Sequence, residues 1–252
     1  MARDGRSRRS LLAVAVVLAL STSSRGQGGP PLLTDDPGTP GDGVWEFNLA
    51  ATYQKSSNAT LWEAPLLDLN YGVGERTQLK LEIPWVILDE EDRETRSGLG
   101  NGLIGVKWRF LDEAESGVSV STYPQLEFNT SSSSEREGLV EEGSEVFLPF
   151  EVERHFGLVG VDGELGYANR EGGDDGWVWG LAVGRDMTEE LELLAEIHGE
   201  GALELDEGEI VGDVGFRWRL GEHETVLFSI GHGLRDQDET EWLGYLGVQF
   251  LI

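Results

Sequence analysis

From Val44 to the end of the chain, apolar and polar residues alternate with a period of two almost without a break. That is the pattern of β-strands with one apolar and one polar face. The first stretch, 44–54, puts Trp45, Phe47, Leu49, Ala51 and Tyr53 on one face and Glu46, Asn48, Ala50 and Thr52 on the other. Aromatics close both ends of its apolar row, as in a membrane strand with two interfacial girdles. Further stretches follow at roughly 61–72, 77–87, 101–111, 117–128, 145–154, 158–168, 177–186, 191–201, 209–220, 224–234 and 242–252. Leu79, Leu81, Ile83 and Trp85 form one apolar row; Ile104, Val106, Trp108 and Phe110 form another. Trp177, Trp179, Leu181 and Val183 belong to the eighth stretch, and Ile210, Val214, Phe216 and Trp218 to the tenth. The last row, Trp242, Gly244, Leu246, Val248, Phe250 and Ile252, runs to the final residue. An unpaired apolar strand is an aggregation hazard, so this strand is expected to close against the one at 44–54. The reading is an all-β fold: a transmembrane, antiparallel, up-and-down β-barrel of about twelve strands, each near the ~9–11 residues of a tilted crossing.

The connections support this count. Gly74–Arg76, Asp112–Ser116, His155–Gly157, Asp186–Glu190 and Gly221–His223 are short. Alternating with them are longer polar segments at Asp89–Gly100, Asn129–Ser144, Asn169–Gly176, Ala202–Gly208 and Arg235–Glu241, after a modest first one at Gln54–Thr60. Short turns belong to the periplasmic side and long loops to the exterior. Four prolines, Pro65, Pro84, Pro124 and Pro149, fall inside predicted strands, all in the outer half of the barrel. Each removes a ladder donor. Local bulges account for them; a wall weakened enough to pass an apolar solute sideways is the sharper alternative.

Upstream, Arg3, Arg6, Arg8 and Arg9 precede the apolar run Leu11–Leu20 and the small residues Ser21–Ser24. This is the layout of a signal peptide, assigned to residues 1–27, and the run is too short to span a bilayer. Cleavage is expected within 22–28. Residues 28–43, rich in Gly, Pro and Asp, read as an extended periplasmic leader, and 44–252 as the barrel.

Composition narrows the function. The 252 residues contain no Cys, 35 Gly and 8 Trp, so disulfides and cysteine metal sites are excluded. A net charge of −28 opposes nucleic-acid binding. Of the four His, His155 and His223 fall in predicted turns, His198 points inward beside Glu196, and His232 lies on the opposite strand face from Ser229. No nucleophile–base pair, clustered metal-ligand spacing or cofactor motif emerges. An enzyme, specifically a lipid-facing hydrolase, is therefore the weakest functional class. The inward rows say more. Lys80, Lys107, Arg109, Arg217 and Arg219 face the lumen toward the periplasmic end; Glu82, Glu127, Glu151, Asp162, Glu164, Glu192, Glu196 and Asp213 face it mostly nearer the middle or outside. They either pair across a filled lumen, since about a dozen strands enclose a narrow interior, or line a polar path favouring cations and neutral solutes over anions.

Pro31-Leu32-Leu33-Thr34-Asp35-Asp36-Pro37 followed by Gly43-Val44-Trp45-Glu46 resembles the start of a family of bacterial outer-membrane β-barrel transporters, the MetA-pathway phenol-degradation family. Leu69–Arg76 and Gly98–Asn101 leading to Gly105–Phe110 are similar to it as well. The resemblance covers the first third of the mature chain. It implies a barrel passing small, often hydrophobic or aromatic compounds, and it identifies no functional residues. The expectation is thus a barrel in the bacterial outer membrane, surrounded by its lipid, inserted by the barrel-assembly machinery, and passing a small-molecule solute. The alternative is a non-conducting structural or surface-interaction barrel with a filled lumen.

Overall fold

A computed structural model describes residues 29–140, 142–173, 175–201, 208–235 and 240–252. The signal peptide expected at 1–27 and its cleavage region lie outside the described residues.

The alternating stretches form a closed, all-antiparallel barrel of twelve strands. These are β1 (Trp45–Ser56), β2 (Ala59–Val73), β3 (Thr77–Glu90), β4 (Arg96–Leu99 and Gly102–Leu111), β5 (Ser119–Thr122 and Gln125–Phe128) and β6 (Glu145–Phe156). The second half comprises β7 (Val159–Arg170), β8 (Gly176–Asp186), β9 (Leu191–Gly201), β10 (Glu209–Arg219), β11 (Glu224–Gly233) and β12 (Thr240–Leu251). Each strand pairs with its sequence neighbours. β12 closes on β1 from Glu46↔Leu251 to Lys55↔Trp242. The seam ends on two backbone bonds of 2.8 Å exchanged between Trp45 and Ile252.

The period-two pattern decides which way each side chain points. Leu49 is 50% exposed, whereas its neighbour Asn48 is 1% exposed. The same inversion recurs around the barrel: Leu81, Ile104, Phe150, Leu165, Leu181, Val214, Ile230 and Leu246 are exposed on the outside, while Asp68, Lys107, Glu151, Asp162, Glu196 and Asp213 are buried inside. This inside-out burial suits an apolar solvent around the wall. No described helix is long and apolar enough to cross a membrane.

The strand limits differ from expectation in three places. β4 extends outward as a separate piece, because Arg96–Leu99 pairs with the outer part of β3. Asp112–Gly117 holds a helical turn, α1 (Glu113–Ser116), capped by Asp112, and the long connection after β5 holds α2 (Ser132–Arg136). His155, expected in a turn, pairs with Gly160 inside β6.

The prolines have different effects. Pro65 marks a bulge: β2 gains a residue against both β1 and β3 between Glu63 and Leu66. Pro84 stays in register opposite Leu66, but the next strand breaks beside it at Gly100-Asn101, and Gly100 N–H donates to the Pro84 carbonyl at 2.9 Å. Pro124 splits β5. Pro149 remains paired with Gly166.

Candidate functional site

The lumen is where the sequence concentrates its chemistry, and it contains the leader. Residues 29–40, expected as an extended periplasmic segment, lie inside the barrel. The chain leaves β1 at the short-turn end, where Gly43 N–H donates to the Gly72 carbonyl at 3.0 Å and Gly74 N–H to Asp42 at 2.8 Å. It rises into the lumen and turns back at mid-height. Gly29 N–H reaches the Thr34 carbonyl at 2.6 Å, and Leu32 N–H reaches the Gly29 carbonyl at 3.0 Å.

Wall side chains hold this turn. Glu196 accepts the amides of Leu33 at 2.7 Å and Thr34 at 2.8 Å, one on each carboxylate oxygen. Glu164 accepts the Asp35 amide at 3.3 Å. Ser229 donates to the Pro31 carbonyl at 2.8 Å, and Arg217 donates to the Pro30 and Gly29 carbonyls at 3.1 Å each. Lys107 pairs with Asp35 at 2.8 Å, donates to the Asp36 carbonyl, and stands 3.6 Å from Glu151. Its ammonium also sits 4.6 Å from the Tyr123 ring centroid, within cation–π range. Apolar anchoring is slight: Leu32 packs in a small buried cluster with Ala182 and Leu194. The close fit requires glycine at 180, because a Cβ there would lie 2.0 Å from Thr34 Oγ1.

The remaining inward residues pair along the wall. Lys80 contacts Asp68 at 3.2 Å and Glu82 at 3.0 Å. Arg109 stands 3.4 Å from Asp112 and donates to the Glu75 carbonyl at 2.8 Å. Glu127 accepts from Asn101 at 2.8 Å, and Glu192 lies 3.4 Å from Arg217. Asp213 is directly opposite Glu196. A chain of amides and acids, Asn48–Asp68–Asn70–Gln78–Tyr123, continues over β1 to β5, with successive hydrogen bonds of 2.8–3.3 Å. Sequence reasoning missed Thr34, Asp35, Asp36 and Tyr123. The Asp35-Asp36 pair between prolines was their one visible signal.

The leader divides the interior. On the short-turn side a cavity of about 850 Å³ is bordered by Pro30, Asp35, Lys80, Tyr123 and Arg217 and reaches the 220–223 turn. On the long-loop side a cavity of about 330 Å³ is bordered by Leu33, Tyr53, Glu63, His198 and Tyr245.

A separate grouping lies near the short-turn rim. Glu113, Glu153 and His155 bring potential ligand atoms within 4.8 Å of one another. Sequence spacing conceals this group because Glu113 and His155 are 42 residues apart.

No protein-family model matches the chain, and no curated protein matches it by sequence. Solved structures do share its fold. The COG4313 outer membrane channel from Pseudomonas putida F1 superposes with a TM-score of 0.69 at 13% identity, over 86% of this chain and 98% of that one. A KdgM porin (TM-score 0.59) and a NanC porin (0.58) each share 10% identity, over 81% of this chain and 98% of theirs.

Proposed function

We propose that this chain is a bacterial outer-membrane channel for small solutes, closed at mid-height by its own leader. The observation that carries this reading is the pair of cavities, about 850 and 330 Å³, meeting at one short segment of chain. That segment is held by polar contacts and one small apolar cluster, not by a continuous apolar core. Such contacts can exchange with water and with a solute. An exterior of exposed Leu, Val, Phe and Trp supports insertion in lipid. Buried Glu151, Asp162, Glu164, Glu196 and Asp213 favour cations or neutral solutes. Tyr53, Leu61, Leu243 and Tyr245 around the outer cavity suit a small partly aromatic molecule, as the family resemblance implies.

Planar-bilayer recording tests this. The intact barrel should conduct weakly or intermittently with cation preference. Deleting residues 29–40 should raise the conductance several-fold. Gly180→Val should act in the same direction by colliding with Thr34. Silence from all three proteins would establish the non-conducting structural barrel instead, and anion preference would remove the selectivity claim.

A further inference from the structure

We propose that the outer wall at the short-turn end of β6 to β8 binds one anionic phospholipid, its phosphate held by Arg154 and Arg185 and an acyl chain lying in a notch at Gly163. Both arginines continue apolar, outward-facing rows. On β6, Phe150 and Val152 precede Arg154; on β8, Leu181 and Val183 precede Arg185. All six residues are exposed. A guanidinium on a lipid-facing row is costly unless it reaches the headgroups. Arg154 stands two residues from the end of β6 and Arg185 one residue from the end of β8, so their stems can run out to phosphate level. The chain has 47 acidic residues against 19 Lys and Arg, yet neither arginine has an ion-pair partner among the described residues. The adjoining acids, Glu153 and Asp186, belong to the inward rows. Lys55, in an outward row at the long-loop end, does pair, with Glu241 at 3.7 Å.

The two arginines flank β7. Val161 lies between Arg154 and Val183, and Val159 between Phe156 and Arg185. Two strand spacings and a two-residue offset put the arginine Cα atoms ~12 Å apart, a span that two extended side chains close around one phosphate. Arginine suits that ligand because its planar fork matches phosphate oxygens in pairs. The Arg154 guanidinium carbon stands 5.1 Å from the Phe156 ring centroid, a contact that orients it. Deeper in the wall, the outward row of β7 has a gap. Gly163 lies between the exposed side chains of Val152 and Leu181. A Cβ at 163 would meet nothing nearer than the Gly180 carbonyl at 3.9 Å, so packing does not demand glycine there. The missing side chain leaves a notch that Leu165, also exposed, closes toward mid-wall. Cations near the rim and an apolar notch below them follow the order of headgroup and tail in a lipid of the leaflet on that side. A free phosphate has no use for the notch. Binding is independent of whether the lumen conducts.

The test uses the complete folded barrel in detergent micelles, titrated with phosphatidylglycerol or phosphatidylcholine and read by native mass spectrometry. One phosphatidylglycerol should bind, preferred over phosphatidylcholine by roughly 10–30-fold, the effect of two arginines at a headgroup. The double variant Arg154→Gln/Arg185→Gln should lose that preference. Arg76→Gln should keep it, because Arg76 at the same end is already paired with Glu115 at 2.9 Å. Gly163→Leu should weaken binding of both lipids several-fold by filling the notch. Heat-modifiable mobility verifies assembly of each variant. Equal binding of the two lipids by the unsubstituted barrel overturns the proposal and leaves the arginines as general interfacial anchors. So does a preference that persists in the assembled double variant. Displacement of the lipid by millimolar inorganic phosphate, or unchanged binding in Gly163→Leu, overturns the lipid assignment in favour of a simple anion site.

Discussion

The two sides of the barrel are built differently. From β7 through β12 the strands contain no proline, and consecutive pairings run without a register shift. From β2 through β6 every strand carries a proline or a break: the bulge at Pro65, Pro84 in register, the Gly100-Asn101 break, the Pro124 break and Pro149 in register. The leader leans on the regular side through Glu164, Ala182, Glu196, Arg217 and Ser229. The larger cavity borders the other side through Asp68, Asn70, Gln78, Lys80 and Tyr123. An unbroken ladder provides a rigid seat for the obstruction, while the space beside it is bordered by both sides, with Glu192, Arg217, Arg219 and Thr225 contributed by the regular one.

The sharpest way to break this contrast is to put a proline where none exists. Leu181 is mid-strand in β8, paired with Gly163 and Ile197. Leu181→Pro should abolish assembly, read as loss of heat-modifiable mobility, whereas Pro124→Ala should assemble normally. Next in size is the ion pair between the leader and the interrupted side. Lys107→Met leaves Asp35 and Glu151 without their cation and should cost about 3 kcal/mol in denaturant unfolding. Adding Asp35→Asn should recover part of that loss. Equal stability of Lys107→Met and the unsubstituted barrel would mean that the leader is seated by the regular side alone.

Hydrogen exchange compares the sides without mutation. Amides of β3 to β5 near Pro84, Gly100 and Pro124 should exchange at least ~10-fold faster than those at similar depth in β8 to β10, a difference of about 1.4 kcal/mol in local opening. Indistinguishable rates would reduce the interruptions to local geometry. The smallest effect belongs to a loop of the regular side. Asp175 accepts the Arg170 backbone N–H at 3.0 Å, the Tyr167 hydroxyl at 2.9 Å and the Asn169 amide at 2.8 Å, which hold its carboxyl below the usual range. A carboxyl depressed on folding stabilises above its ordinary value near ~3.9 and loses that contribution as pH falls below it. Protection of the Arg170 amide should therefore fall as pH drops below about 4 and lose this dependence in Asp175→Asn.

Strand number, order and facing were legible in the sequence because period two is imposed by the backbone itself. The closing pair was legible for the same reason: Trp45 and Trp242 begin rows of like phase. The inward charges were legible as inward, but their partners were not. Lys107 and Asp35 are 72 residues apart, and nothing in alternation says that a Gly/Pro-rich leader will supply the acid. That leader has no hydrophobic period to betray its destination. Its fold depends on Glu196 and Arg217 from distant strands. The outer piece of β4 was missed because Arg96-Ser97-Gly98-Leu99 is polar and glycine-containing and reads as part of the Asp89–Gly100 connection. A one-residue slip between Trp85↔Leu99 and Glu82↔Leu103 separates it from the rest of the strand.

The reversal of the leader at Gly29–Thr34 has a topological consequence. Gly29 and Asp42 both lie toward the same end of the barrel, so the obstruction is a loop pushed in, not a strand passed through. The sheet can close by joining β12 to β1 before residues 29–40 enter from the short-turn end. For the same reason, tension on the stretch below Asp42 draws the loop out along the path by which it entered, without cutting, knotting or opening the cylinder.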